Sequence, residues 1–246
     1  MNVKLTFLGV GAALNSAHLK SSVMVGSRVC VDAGADPVPT IRSLGRSPDS
    51  IELILLTHLH GDHYFGSAFI IAEAMLGGRT EPLTVVGPAG TEAAIRALLS
   101  LAYPATIADV FLGKAMVSFV EIRSGEVLNF VGLDIVPFPM DHGRMEAYGY
   151  RIASEGQVIV FSGDGRITEE ARGHFADADA WIINAPTEVD ALPAHSSIRD
   201  YRELWEEAER RATVFVCHRT YDRPSSAHWI FPADRETVDL AEIAVD

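Results

Sequence analysis

Cysteine, lysine and long apolar runs are all scarce in this chain. Its 246 residues include 2 cysteines, and only 3 of its 20 basic residues are lysine. Two thiols cannot build a disulfide framework. Cys30 and Cys217 lie in apolar runs, Ser27 to Val31 and Thr213 to Cys217, that read as buried strands, so a reducing, cytoplasmic setting is expected. No apolar stretch approaches the ~20 residues of a membrane helix, and no membrane partner is expected. Leu5 to Leu14 resembles a secretory core only superficially: Lys4 alone precedes it, and Gly9 and Gly11 interrupt it.

Basic charge is the next shortage. Twenty basic residues stand against 33 acidic ones, a net charge of −13. That balance argues against a broad face for polyanions. It does not argue against a phosphate-bearing substrate held at a metal, because bound cations offset part of the excess. The chain also lacks repeats, low-complexity tracts and linkers, which favours one domain over residues 1–246.

Hydrophobic residues make up 48% of the chain and fall into short runs. Strand patterns occur at Val3 to Leu8, Ser22 to Val25, Arg28 to Asp32, Ile51 to Leu56, Leu83 to Gly87, Val117 to Ile122, Leu133 to Phe138, Tyr148 to Ile152, Val158 to Ser162, Trp181 to Asn184 and Val214 to Cys217. Helical patterns lie between some of them, at Pro37 to Leu44, Asp62 to Leu76, Thr91 to Leu101, Thr168 to Phe175 and Ser197 to Arg211, the last capped by Ser196 or Ser197. Strand meanders mixed with helices predict a layered α/β architecture.

One segment carries chemistry. The apolar strand Ile51 to Leu56 runs into Thr57-His58-Leu59-His60-Gly61-Asp62-His63, which places four metal-capable side chains within six residues. Residues two apart in extended chain point the same way, so His58 and His60 can converge on one ion. Gly61 lets the backbone turn, and Asp62 and His63 at the start of the next helix face a second ion. Nitrogen and carboxylate donors at this density suit Zn²⁺ first, with Mn²⁺ or Fe²⁺ as alternatives.

This segment resembles the signature of the metallo-β-lactamase fold superfamily, and the resemblance implies a four-layer αββα sandwich with one or two metals at the sheet edge. It also implies the remaining ligands, each after an apolar strand: His142 in Met140-Asp141-His142-Gly143, Asp164 in Ser162-Gly163-Asp164-Gly165, and His218 after Cys217. By the family pattern His58, His60 and His142 hold one metal, Asp62, His63 and His218 hold the other, and Asp164 bridges them. Two cations about 3.5–4 Å apart need such an anionic bridge, and they lower the pKa of a shared water to about 7. The resulting hydroxide is the implied nucleophile.

The closest likeness is to the ribonuclease Z, arylsulfatase and cyclic-nucleotide phosphodiesterase branch. It implies that His195, in Pro193-Ala194-His195-Ser196-Ser197, is no ligand but contacts phosphate and protonates the leaving oxygen. Asp62 and His195 are thus the candidate catalytic residues, and Asp32 matches an aspartate that orients a ligand histidine. His18, His174 and His228 have no motif context and are expected at the surface. Tyr64, Phe65, Tyr148, Tyr221 and Trp229 are candidates to line an aromatic pocket, with core positions as the plainer reading.

The chain departs from several branches of the superfamily. An aspartate at 164 disfavours the zinc β-lactamases, and histidine at both 58 and 60 disfavours the di-iron oxygen-reducing members. Ribonuclease Z inserts a long tRNA-gripping arm where only Ala153 to Gln157 stands here, so specific tRNA binding is not expected. Gly165 replaces a frequent threonine, and Arg219-Thr220-Tyr221 departs from the usual ending.

These readings make the chain a dinuclear zinc hydrolase of a small phosphodiester, with a homodimer implied by the resemblance. The alternatives are a carboxylic ester, lactone or thioester hydrolase on the same metals, a tRNA 3′-end endonuclease, and a non-catalytic binding module.

Overall fold

The structure is a computed structural model, and it describes residues 3–243 apart from Ser16, Ala115, Glu155, Ala191 and Arg210. Fourteen strands are described, in two seven-stranded sheets. The first sheet uses β1 (Lys4–Gly9), β2 (Ser22–Val25), β3 (Val29–Val31), β4 (Leu53–Leu55), β5 (Leu83–Gly87), β6 (Val117–Glu121) and the late strand β14 (Thr237–Asp239). The second uses β7 (Leu128–Phe130), β8 (Leu133–His142), β9 (Met145–Ser154), β10 (Gln157–Phe161), β11 (Ala180–Asn184), β12 (Thr213–Cys217) and β13 (Trp229–Ile230). Strand order is β14-β1-β2-β3-β4-β5-β6 in the first and β13-β12-β11-β10-β9-β8-β7 in the second.

The apolar runs become strands because both of their faces are covered. Leu53 and Leu55 join the core between the sheets, while Ile54 and Leu56, pointing the other way, pack beneath helices. Ile182 and Phe215 likewise face the inner core, and Trp181, Ile183, Val214 and Val216 face outward into a third apolar cluster. Side chains alternate across a strand, so a continuous apolar run serves two cores at once. Cys30 and Cys217 are free thiols in this buried set.

Helices cover both outer faces. On the first sheet they are α1 (Val38–Ser43), α2 (Gly61–Tyr64), α3 (Ser67–Leu76), α4 (Thr91–Ala102) and α5 (Ala105–Lys114); on the second, α6 (Glu169–Phe175) and α7 (Ile198–Glu207). The four layers are those of the expected αββα sandwich. Among the described residues no helix is long and apolar enough to cross a membrane.

Several elements differ from the sequence reading. The single helix expected over Asp62 to Leu76 is two, α2 and α3, parted at Phe65 and Gly66. A side chain at Gly66 would meet the Ala35 carbonyl oxygen at 2.0 Å, so the chain there is pressed against another loop. Ser197 rather than Ser196 caps α7, in a capping box with Asp200, and the helix stops at Glu207 instead of Arg211; Arg210 lies outside the described residues. The strands expected to end at Phe138 and begin at Tyr148 extend to His142 and from Met145, as one long hairpin. Helix α5 and strands β7, β13 and β14 were not expected.

Candidate metal centre

Strand ends from both sheets meet at one place. Directly after β4, Thr57 to His60 run extended until α2 starts at Gly61, which puts Asp62 and His63 in that helix's only turn. From the second sheet come His142 at the end of β8, Asp164 three residues beyond β10, and His218 immediately after β12.

The expected ligands gather in two adjoining sets. In the first, Nδ1 of His60 stands 3.0 Å from Nε2 of His58 and 3.1 Å from Nε2 of His142. In the second, Asp62 Oδ2 lies 3.1 Å from His218 Nε2 and 3.7 Å from His63 Nε2. Asp164 stands between the sets: its Oδ2 is 3.4 Å from His63 Nε2, 3.4 Å from His218 Nε2 and 3.9 Å from His58 Nε2. Such spacings suit donors about 2.0–2.2 Å from a shared divalent ion.

The outer atoms of these side chains are held as ligation requires. His63 Nδ1 donates to Asp32 Oδ2 at 2.7 Å. Thr57 is bound to the same carboxylate, its amide to Oδ1 at 2.8 Å and its hydroxyl to Oδ2 at 2.9 Å. That hydroxyl in turn accepts from His58 Nδ1 at 3.0 Å. His142 Nδ1 donates to the Ala194 carbonyl at 2.8 Å, and Asn184 Nδ2 donates to Asp164 Oδ1 at 2.9 Å. Each contact fixes the tautomer or rotamer that turns the other atom inward.

Buried charge is arranged to match. Although burial opposes it, hydrogen bonding from His218 and the nearby His63 hold Asp62 down at about 2. Asp164 is also kept well below the ordinary carboxylate range, against its burial, by His218 and His63. Burial, then His63, pushes His58 well below the usual imidazole range; burial and His142 lower His60. His63 is the exception, raised by Asp164 and Asp32 in spite of burial.

The residues therefore fit divalent ions. The buried Nε2 of His63 has no hydrogen-bond partner and faces two carboxylate oxygens. His58, His60 and His142 could hold one ion and Asp62, His63 and His218 a second, with Asp164 shared.

His195 comes to the same centre. Its ring is edge-on to His142, with centroids 4.8 Å apart, and stacked with His218 at 5.9 Å. Its buried Nδ1 has no hydrogen-bond partner and lies 3.9 Å from Asp164 Oδ2. Burial lowers the ring's pKa, with Asp164 opposing. The turn is clamped by the Ser196 amide, which donates to the Gly165 carbonyl at 3.0 Å. His195 also lines a cavity of about 330 Å³ with Arg166, Ile167, Arg172, Ser196, Asp200 and Glu203.

Three non-glycine residues at the centre have left-handed backbones: Asp32 at φ +56°, Ala194 at +58° and His218 at +47°. Such conformations carry local strain, and here each one aims a group at the ligand set.

Other sequence expectations divide. Gly165, at φ +141°, has Met140 Cβ 2.7 Å from where a side chain would begin, so the threonine frequent there in the family does not fit this loop. Arg219 is turned inward, donating to the carbonyls of Val216 and Pro232, so it supports the fold. Of the aromatics, Tyr148 and Trp229 are core residues, Tyr64 and Tyr221 are half-buried, and Phe65 is 50% exposed next to the motif. His18, His174 and His228, expected at the surface, are all partly buried: His18 lies between Asp222 and Asp234, His174 stacks on Phe138, and His228 packs near Trp205. Thr57, Asn184 and the Ala194 carbonyl escaped the sequence reading. Only Thr57, inside the motif, carried any signal.

The profile of the Beta-lactamase superfamily domain matches residues 27–218, and the chain belongs to that family and has its metallo-β-lactamase fold. Its relatives fall in the ribonuclease Z-like branch. A curated relative, Ribonuclease BN of Erwinia tasmaniensis, is 31% identical over 160 residues, 60% of this chain and 48% of that protein. The chain thus spans about half the length of such relatives. Human tRNase Z, short form, superposes with a TM-score of 0.77 at 18% identity, covering 96% of this chain and 99% of that one. A diphosphatase of the PhnP family gives 0.76 at 20% identity, covering 97% of each chain. At these identities the two structures establish the fold.

Proposed function

We propose that the protein is a dinuclear zinc phosphodiesterase acting on a small phosphodiester. The observation that carries this reading is the position of His195, wedged between a histidine of each ligand set and close to the carboxylate they share. Relatives named as ribonucleases and a diphosphatase, whose substrates are phosphate esters or anhydrides by name, support the same chemistry.

Divalent ions held at the two sets would supply Lewis acidity and lower the pKa of a water. The chain's own residues do the rest. Hydrolysis adds the water's oxygen to phosphorus, breaks the bond to the leaving oxygen, and leaves that oxygen in need of a proton. His195 is placed to donate it, its ring lying between His142 and His218 and within 3.9 Å of the Asp164 carboxylate. Asp32 and Thr57 keep His63 and His58 in their inward-facing tautomers, and the Ala194 carbonyl does the same for His142.

A transfer-RNA substrate is disfavoured. Strands β9 and β10 pair from Ser154 and Gln157 onward, so residues 155–156 alone connect them, and there is no arm at this hairpin. The test is a substrate panel with the Zn²⁺- or Mn²⁺-loaded protein: bis(4-nitrophenyl) phosphate beside chromogenic lactones and thioesters. Turnover of the diester is the expected result. Turnover confined to lactones or thioesters would move the assignment to carbon ester hydrolysis.

A further inference from the structure

The loops that carry His195 and His218 also frame a second cavity, of about 220 Å³. Glu188, Val189, Ile198, Arg199, Arg202 and Arg223 line it. Both walls start at the metal centre: Arg199 stands four residues after His195 and Arg223 five after His218. At ~3.5 Å of reach per residue, their α-carbons lie within about 14 and 18 Å of those histidines.

Charge in this cavity is unbalanced. Arg223 pairs with Glu188 at 3.0 Å. Arg202 lies over the Trp229 ring, 5.1 Å from its centroid, without a carboxylate partner among the described residues. Arg199 has no side-chain partner among them at all, and it occupies the first turn of α7, where the helix dipole disfavours a cation. Three arginines and one carboxylate therefore line this cavity, in a chain that is acidic by 13 charges overall. The cavity beside His195 makes the contrast, because its lining has as many carboxylates as guanidinium groups: Asp200 and Glu203 beside Arg166 and Arg172. Guanidinium forks are the side-chain match for phosphate oxygens, and Val189 and Ile198 add an apolar wall.

We infer that Arg199, Arg202 and Arg223 form a subsite for a second phosphate group carried by the substrate. The inference rests on the phosphodiesterase reading and narrows it: the preferred diester bears a phosphate monoester in addition to the scissile group.

Two chromogenic substrates with the same leaving group test this. They are thymidine 5′-(4-nitrophenyl phosphate) and its 3′-phosphorylated counterpart, each given to the metal-loaded protein. The added phosphate should lower KM about tenfold or more, as charge-assisted bonds to guanidinium groups would give. In Arg199→Gln, which breaks no recorded contact, that advantage should shrink, and in R199Q/R202Q it should vanish. Equal KM values for the two substrates in the unaltered protein, or an advantage that survives in the double variant, would overturn the subsite. Should neither diester be cleaved, the phosphodiesterase reading fails separately. Calorimetry with thymidine 3′,5′-bisphosphate and thymidine 5′-monophosphate then reads the subsite directly. Tighter binding of the bisphosphate, lost in the double variant, supports it, and equal affinities refute it.

Discussion

Asp32 and Thr57 are joined twice, amide to Oδ1 at 2.8 Å and hydroxyl to Oδ2 at 2.9 Å. Through this double contact one carboxylate governs a histidine of each ligand set: it takes His63 directly and reaches His58 through the threonine hydroxyl.

The two sets should therefore respond differently to two substitutions. Thr57→Val removes the relay to His58 and should weaken one ion about 10–100-fold, while Asp32→Ala should weaken both. Competition with a graded series of chelators measures this. Equal loss at both sites in Thr57→Val would remove the relay.

Metal content is the next expectation. Elemental analysis after saturation with Zn²⁺ should find two ions per chain, and Asp164→Ala should hold at most one and lose turnover. Ions that bind only the folded chain, at a thousandfold excess over Kd, add about 4 kcal/mol per site. Removing both should therefore lower the unfolding midpoint by roughly 15–30 °C. A chain that saturates with one ion, or an Asp164→Ala protein with normal turnover, would sink the dinuclear arrangement.

His195→Ala should keep both ions yet lose about 10²–10⁴ in kcat, the usual worth of a positioned acid. The loss should be smallest for nitrophenolate leaving groups, which need little protonation, and largest for alkoxides. If the variant loses metal instead, His195 is a ligand; if kcat is unchanged for both leaving groups, it has no part in the chemistry.

Precursor tRNA should bind weakly and without preference over unrelated RNA, since the β9–β10 hairpin carries no arm and the net charge is −13. Accurate 3′-end cleavage at physiological salt would restore a ribonuclease Z function.

Burial pushes the thiols of Cys30 and Cys217 up to about 12. At pH 8 both should therefore resist Ellman's reagent in the folded protein and react together on unfolding. Rapid labelling of either thiol in native protein would mean that the core opens there.

Much of this arrangement was legible in the sequence because apolar strands and metal donors are local signals. The run Ile51 to Leu56 identifies a doubly covered strand, and the motif after it identifies four donors. His142, Asp164 and His218 were recognisable only as an ordered set following strands. What escaped depends on partners distant in the chain. Strand β14 exists because the backbone of Thr237 to Asp239 pairs with β1, although its own residues carry no strand pattern. The break between α2 and α3 reflects the Gly66 amide, which donates to the Ala33 carbonyl at 2.6 Å instead of continuing the helix, invisible in a helical periodicity that runs straight through. Thr57 read as an ordinary residue between a strand and a histidine. Its role appears only when Asp32, 25 positions earlier, is brought against it.

The sheets divide the chain almost in sequence, β1 to β6 in one and β7 to β13 in the other, with β14 returning to the first. A cut within residues 122–127 would leave His58, His60, Asp62 and His63 on one fragment and His142, Asp164 and His218 on the other. Neither fragment would own a complete coordination sphere. A divalent metal would then act as the solder between two polypeptides, and reconstitution of activity from separately made halves would become a reaction switched on by metal and reversed by chelator.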